Sequence, residues 1–325
     1  MEMDSMDRRT LLGGLLGAGT LVATSALPAL AEDRPEAFPS RGRFERLSLS
    51  LSTVEIGLAR PFSVLHITDT HLTAAYPHEP QSKQQLCKCR TETFGGRQEE
   101  ALRDSLAWAR IHADFVLHTG DLIDWHSEAN FDLVKKHFGN SFCGSLGNHE
   151  FSPDMWLSNP VVTCNEEWKD KFRPRLQEFY PFNVVLHSQV VNGVNFVTLD
   201  NVFGSITEKQ VSMFADEAEK GLPVVLCMHV PFFSDGLYRA SCHYWNDRSP
   251  RFESASVPVA NSDYQAQKND VTTRNFIAYL KREPLLKAIL AGHLHFAYEE
   301  RFSPTAIQYV TGGNYLFQGR EVLFV

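Results

Sequence analysis

Phe115-Val116-Leu117-His118-Thr119-Gly120-Asp121-Leu122-Ile123-Asp124 is the stretch from which the fold is read. Its apolar half is a short buried strand, and Asp121 follows directly after a glycine. A carboxylate there stands where an α/β sheet delivers side chains into a cleft. Upstream, Phe62 to Thr68 reads as another strand, ending at Asp69. Between the two, Arg97 to His112 reads as a helix. Leu102, Leu106 and Ala109 share one face, and Glu99 and Glu100 sit in the first turn, where carboxylates suit the helix dipole. Strand, helix and strand make a βαβ unit with parallel pairing.

Residues 43–58 alternate, with Leu47, Leu49 and Leu51 separated by serines, as a half-buried strand does. Residues 72–96, which hold Pro77 and Pro80, read as a long polar connection. Phe131 to Phe138 reads as a helix and Phe142 to Leu146 as a short strand, and residues 151–182 read as irregular. Val184 to His187 and Val194 to Leu199 pair across Asn192-Gly193, a common hairpin turn. Thr207 and Gln210 make a capping-box pattern that opens a helix to about Lys220. Val224 to Met228 is a strand ending at His229, and residues 232–275 read as a large irregular insert. Leu285 to Leu290 leads into Gly292, and the tail alternates again through Ile307, Tyr309 and Val322 to Val325. No internal repeat or domain boundary is visible. The expected organisation is an export signal over 1–31, a lead-in and first strand over 32–59, and one domain over 60–325.

The signal is expected because Arg8-Arg9 precede an apolar, glycine-rich run from Leu11 to Leu30, with small residues for cleavage before Glu32. The arginine pair resembles a bacterial twin-arginine signal, which implies export to the periplasm or otherwise out of the cytoplasm. A permanent membrane anchor is the alternative. Any membrane contact is expected through that segment alone. The formal net charge of −8 argues against a protein held on a nucleic-acid backbone, which wants a basic face. It does not exclude a small anionic substrate, because bound cations invert the local field. The six cysteines, Cys87, Cys89, Cys143, Cys164, Cys227 and Cys242, leave their pairing open. Cys227, inside an apolar run, is expected to be a core thiol.

Around Asp121 stand Asp69-Thr70-His71 before it, and Gly147-Asn148-His149-Glu150, His229 and Gly292-His293-Leu294-His295 after it. Each is weak alone. A lone His after a strand is more often a satisfied core residue, and His-x-His is a common metal hint that puts both rings on one side of an extended chain. Together, His, Asp and Asn at the ends of predicted strands point to one metal-binding cleft.

In that order and spacing, over roughly residues 60–300, these segments resemble the calcineurin-like metallophosphoesterase signature. The resemblance implies an α/β (α+β) fold, a four-layer sandwich of two mixed β-sheets flanked by helices, with a dinuclear metal site at the strand ends. It implies that Asp69, His71 and His295 hold one metal, that Asn148, His229 and His293 hold the other, and that Asp121 bridges both. Carboxylate and imidazole suit two divalent or trivalent ions of Mn, Fe, Zn or Co. Two such ions, about 3.5–4 Å apart, can share a hydroxide that attacks phosphorus while they clamp the phosphoryl oxygens. The implied activity is hydrolysis of a small phosphate ester, a phosphodiester or a phosphomonoester. His149 has no metal to hold and is expected to face the phosphoryl group, stabilising the transition state or protonating the leaving oxygen.

In the purple acid phosphatase branch a Tyr stands three residues after the bridging Asp and ligates ferric iron. Asp124 stands there instead. The ferric-tyrosinate chemistry is therefore not expected, and Asp124 is read as a hydrogen-bond acceptor beside the site or a solvated loop residue. Two other readings stay open: a member of the fold that has lost catalysis and only binds, and a nuclease. A lapsed enzyme should show gaps in the ligand set, and no position is vacant; the negative charge disfavours a nuclease. His66 and His118 read as satisfied strand histidines. Tyr244 and Trp245 read as anchors of the insert, with stacking on an aryl or nucleobase group as the alternative.

Overall fold

The computed structural model describes residues 44–138, 143–153, 165–245 and 270–325. The export-signal reading, Cys164 and residues 246–269 of the insert lie outside those residues. The described strands form two sheets. Their ranges are β1 (Ser48–Val54), β2 (Phe62–Ile67), β3 (Phe115–Thr119), β4 (Cys143–Ser145), β5 (Leu186–Val191), β6 (Val194–Leu199), β7 (Val224–Met228), β8 (Leu286–Ala291), β9 (Tyr298–Arg301), β10 (Ile307–Val310) and β11 (Gln318–Phe324). One sheet has the order β1-β11-β2-β3-β4, the other β5-β6-β7-β8-β10-β9. Both are mixed. β2, β3 and β4 run parallel, as the βαβ reading requires, and β11 is antiparallel to β2. β6, β7, β8 and β10 run parallel, and β5 and β9 close that sheet antiparallel at its edges.

The alternation of side chains builds the layers. Phe62 and Val64 of β2, Val225 and Cys227 of β7 and Phe196 of β6 share one apolar cluster between the sheets. The Phe62 ring stacks on Phe324 at 5.0 Å and meets Phe196 edge-on at 6.3 Å. Leu65 and Ile67 face the other way and pack under α2 (Gln98–His112), α3 (Glu128–Phe138) and α4 (Glu166–Phe179). Val197, Leu199 and Leu226 pack likewise under α5 (Glu208–Ala218) and α7 (Val271–Leu280). Strands covered on both faces read as unbroken apolar runs, and β7 is buried at all five positions. The result is four layers: helices, five strands, six strands, helices.

Three expectations are corrected. The 72–96 connection contains α1 (Gln81–Thr93), which buries no residue and so shows no apolar stripe. The 151–182 segment contains α4, in which Pro174 breaks the expected pattern; Asn165 caps it by accepting the Trp168 N–H at 3.0 Å. The 232–275 insert contains α6 (Asp235–Trp245) and the start of α7. The Thr207–Gln210 capping box is present with both of its bonds, and the Asn192-Gly193 turn has φ of 49° and 82°, as a two-residue hairpin turn needs. Cys87, Cys89, Cys143, Cys227 and Cys242 are free thiols. Among the described residues no helix is long and apolar enough to cross a membrane.

Candidate metal centre

The segments singled out from the sequence meet where β2, β3, β4, β7 and β8 end. Past their last paired residues, the chains leaving β2 and β3 still run side by side. Asp69 N–H donates to Gly120 O at 3.0 Å, His71 N–H to Asp121 O at 2.9 Å and Leu72 N–H to Leu122 O at 2.8 Å. Gly292 N–H donates to His229 O at 3.0 Å, which ties the β8 end to the β7 end.

Backbone geometry turns the side chains inward. Among the described residues, eight that are not glycine have φ in the left-handed region, and five of these are Asp69, His71, Asp121, His293 and His295. Each such residue costs about 1–2 kcal/mol, so the surrounding hydrogen bonds must over-determine it. Two motif glycines are fixed by close approach. A Cβ on Gly147 would fall inside the Asp121 carboxylate and backbone amide, and one on Gly292 would fall on the Thr68 hydroxyl and within 2.7 Å of Asp69 Oδ2.

Two trios of ligand atoms hold predicted residues, Asp69, His71 and His295, and Asp121, His229 and His293, and a third group, His71, Asp124 and His149, adjoins the first. In the first, His71 Nε2 and His295 Nε2 are 3.2 Å apart, and Asp69 Oδ1 is 3.2 Å from His295 Nε2. Asp69 Oδ1 is buried and makes no hydrogen bond of acceptable geometry. In the second, His229 Nε2 lies 3.1 Å from Asn148 Oδ1, 3.2 Å from His293 Nδ1 and 3.3 Å from Asp121 Oδ2. Asp121 Oδ2 is also 3.8 Å from His71 Nε2, so it faces both trios. All seven predicted ligands and His149 are thus brought together.

The donor set fits cations. His229 Nδ1 donates to Thr119 O at 2.7 Å, since a carbonyl can only accept. A neutral His229 then has a lone pair on Nε2, aimed at two oxygens that also offer lone pairs. His71 repeats the arrangement: Nδ1 donates to Asp124 Oδ1 at 2.9 Å and Nε2 faces His295 and Asp69. Burial lowers the His229 pKa, but the Asp121 and Asp69 carboxylates raise it to about 9. The site therefore draws positive charge into a fully buried position. Metal ions satisfy these lone pairs without a proton.

His149 stands beside the two trios. Its Nδ1 is 2.9 Å from Asp124 O and 3.0 Å from Asp124 Oδ1, which leaves Nε2 as its other polar atom. His149 and His295 are the exposed members, with side chains 13 % and 16 % accessible, so they mark the mouth. Asp124 is not a solvated loop residue. It is fully buried and binds His71, His149 and Arg90. His66 is bonded at both ring nitrogens by Thr119 and Thr311, and His118 is bonded by Thr70 and the Gly120 amide. Trp245 packs edge-on to His295 at 5.7 Å while its indole N–H bonds Leu294 O, and Tyr244 stacks on Phe296 at 4.9 Å.

Sequence reasoning gave Glu150 no role. Its buried carboxylate accepts the backbone N–H of Gly147 (2.6 Å), Asp121 (2.8 Å), Leu122 (2.8 Å) and Ile123 (3.1 Å), and the Tyr180 hydroxyl (3.1 Å). It clamps the Asp121 loop to the Asn148 loop. A glutamate inside a loop gives no sequence signal for such bonds beyond its nearness to Asn148 and His149.

The sequence profile of the calcineurin-like phosphoesterases matches residues 62–297, well over half of the chain. The chain belongs to the calcineurin-like phosphoesterase family. No curated protein matches its sequence. Among solved structures, this phosphoesterase is similar to a dimetal phosphatase from Danio rerio (14% identity, TM-score 0.45, 78% of this chain and 88% of that one). It is also similar to a 5'-nucleotidase from Candida albicans (11%, 0.38, 84% and 47%) and to a phosphopantetheinyl hydrolase from Mycobacterium tuberculosis (13%, 0.36, 78% and 91%). The phosphoesterase thus spans about half the length of that nucleotidase.

Proposed function

We propose that the chain hydrolyses a small phosphate ester with two metal ions, one held by Asp69, His71 and His295, the other by Asn148, His229 and His293, with Asp121 shared. The observation that carries this is the facing of lone pairs across both trios, with Asp121 Oδ2 between them. When bound, such ions acidify a water and neutralise the phosphoryl oxygens. The chain's own groups do the rest. Asn148 offers a neutral oxygen, which adds no negative charge beside an anionic substrate. His149, held through Nδ1 by Asp124, keeps Nε2 at the mouth. In the metal-free chain burial lowers its pKa, and the Asp121 and Asp124 carboxylates outweigh that and raise it to about 9; Asp124 holds the ring in either state. A proton on Nε2 passes to the leaving oxygen as the ester bond breaks, and the neutral ring takes another from water.

The test is hydrolysis of p-nitrophenyl phosphate and bis(p-nitrophenyl) phosphate with Mn, Zn or chelator. Metal-dependent release from at least one is expected. No release from either, or from a small nucleotide panel, would favour a binding protein that keeps the fold. Residues 1–31 are proposed to export the domain through Arg8-Arg9, which a reporter fused to that segment tests by its location.

A further inference from the structure

The last turn of α1 reaches into the metal centre although the helix itself buries no residue. Arg90 lies in that turn. Its guanidinium grips Asp124 with two bonds, Nε to Oδ2 at 2.5 Å and Nη2 to Oδ1 at 2.9 Å. Phe94, at the end of the helix, stacks on the His71 ring at 4.3 Å with planes 13° apart, and Arg90 lies 4.7 Å over the Phe94 ring. The helix terminus is thus applied to His71 twice, directly through Phe94 and indirectly through Arg90 and Asp124.

The geometry points to Arg90 as a positioning residue for the metal centre. Asp124 Oδ1 serves His71 Nδ1 and His149 Nδ1 at once. It can do so only while its carboxylate plane is held, because the terminal torsion of Asp is soft. A two-pronged, planar guanidinium bond fixes that plane, which a single ammonium cannot do. Arg90 also compensates the charge of a fully buried carboxylate. Through Asp124 it therefore sets the ring orientation of His71 and of His149, and keeps Nε2 of His71 turned to the metal. Arg90 is 15 % exposed, so it is reachable from solvent.

This inference rests on the two-metal reading, and calorimetric titration with Mn²⁺ separates the two. Wild type is expected to bind the metal. Arg90→Ala and Arg90→Gln are expected to bind it about 10–100-fold more weakly, as removal of such supporting partners does, with kcat lowered and KM little changed. Arg90→Lys should restore little, and added methylguanidine should restore Arg90→Ala. Thr91→Val removes a hydroxyl bond to Thr73 from the same helix and should bind as wild type does; circular dichroism checks that each variant is folded. Wild-type affinity in Arg90→Ala or in Arg90→Lys would overturn the inference, as would an equal loss in Thr91→Val. Wild type that binds no Mn²⁺ would instead sink the two-metal reading itself.

Discussion

Glu150 Oε2 accepts the backbone N–H of Asp121 at 2.8 Å, so a buried carboxylate fixes the main chain of the residue whose Oδ2 faces both trios. Its other bonds reach the Gly147, Leu122 and Ile123 amides. Burial and the nearby Asp121 push its pKa up, while the Gly147 and Ile123 amides pull it down. Glu150→Gln would point an amide N–H₂ at groups that already donate. The expected cost is about 1–3 kcal/mol, read as a lower urea midpoint, together with weaker metal uptake. A midpoint equal to wild type would deny Glu150 this role.

His149→Ala should separate chemistry from metal binding. The side chain bonds Asp124 and meets the His71 ring edge-on at 4.7 Å, and it belongs to neither of the two predicted trios. Metal content is expected to stay at the wild-type value while kcat falls by about 10²–10⁴-fold. Equal loss of metal and turnover would end the separate role.

Gly147→Ala should damage the site through sterics alone, because the new Cβ overlaps Asp121. Overpacking of this kind costs about 1–3 kcal/mol. A lower melting temperature and reduced metal uptake are expected, and unchanged values of both would show that the loops yield freely.

Metal-free protein should lose stability between about pH 6.5 and pH 9. His149 and His229 are each raised from 6.5 to about 9. A raised histidine contributes stability that is complete below its unfolded pKa and lost as pH rises through its folded one. His66, His118 and His293 are lowered by burial, so they act only below about 6.5. Thermal melts across that range, with chelator, should show the decline. Loading then requires His229 to give up its Nε2 proton, so metal binding should release protons. Binding heats that do not differ between buffers of unlike ionisation enthalpy would contradict that release.

The layered sheets were legible because strands buried on both faces, such as β7, leave continuous apolar runs, and because the Thr207–Gln210 cap is a local signal. α1 was not, since its sequence carries no apolar stripe, and Pro174 hid α4. The residues that converge at the strand ends were legible by type and by position. What aims them was not: the left-handed backbone at Asp69, His71 and Asp121, the Glu150 clamp and the Arg90 bridge depend on contacts between distant segments.

The central claim is that Asp121 joins two metal ions. Elemental analysis after loading with Mn²⁺ and removal of the excess tests it most directly, on wild type beside Asp121→Ala. Two ions per chain in the wild type and at most one in the variant are predicted. One ion or none in the wild type, or two retained in Asp121→Ala, would contradict it.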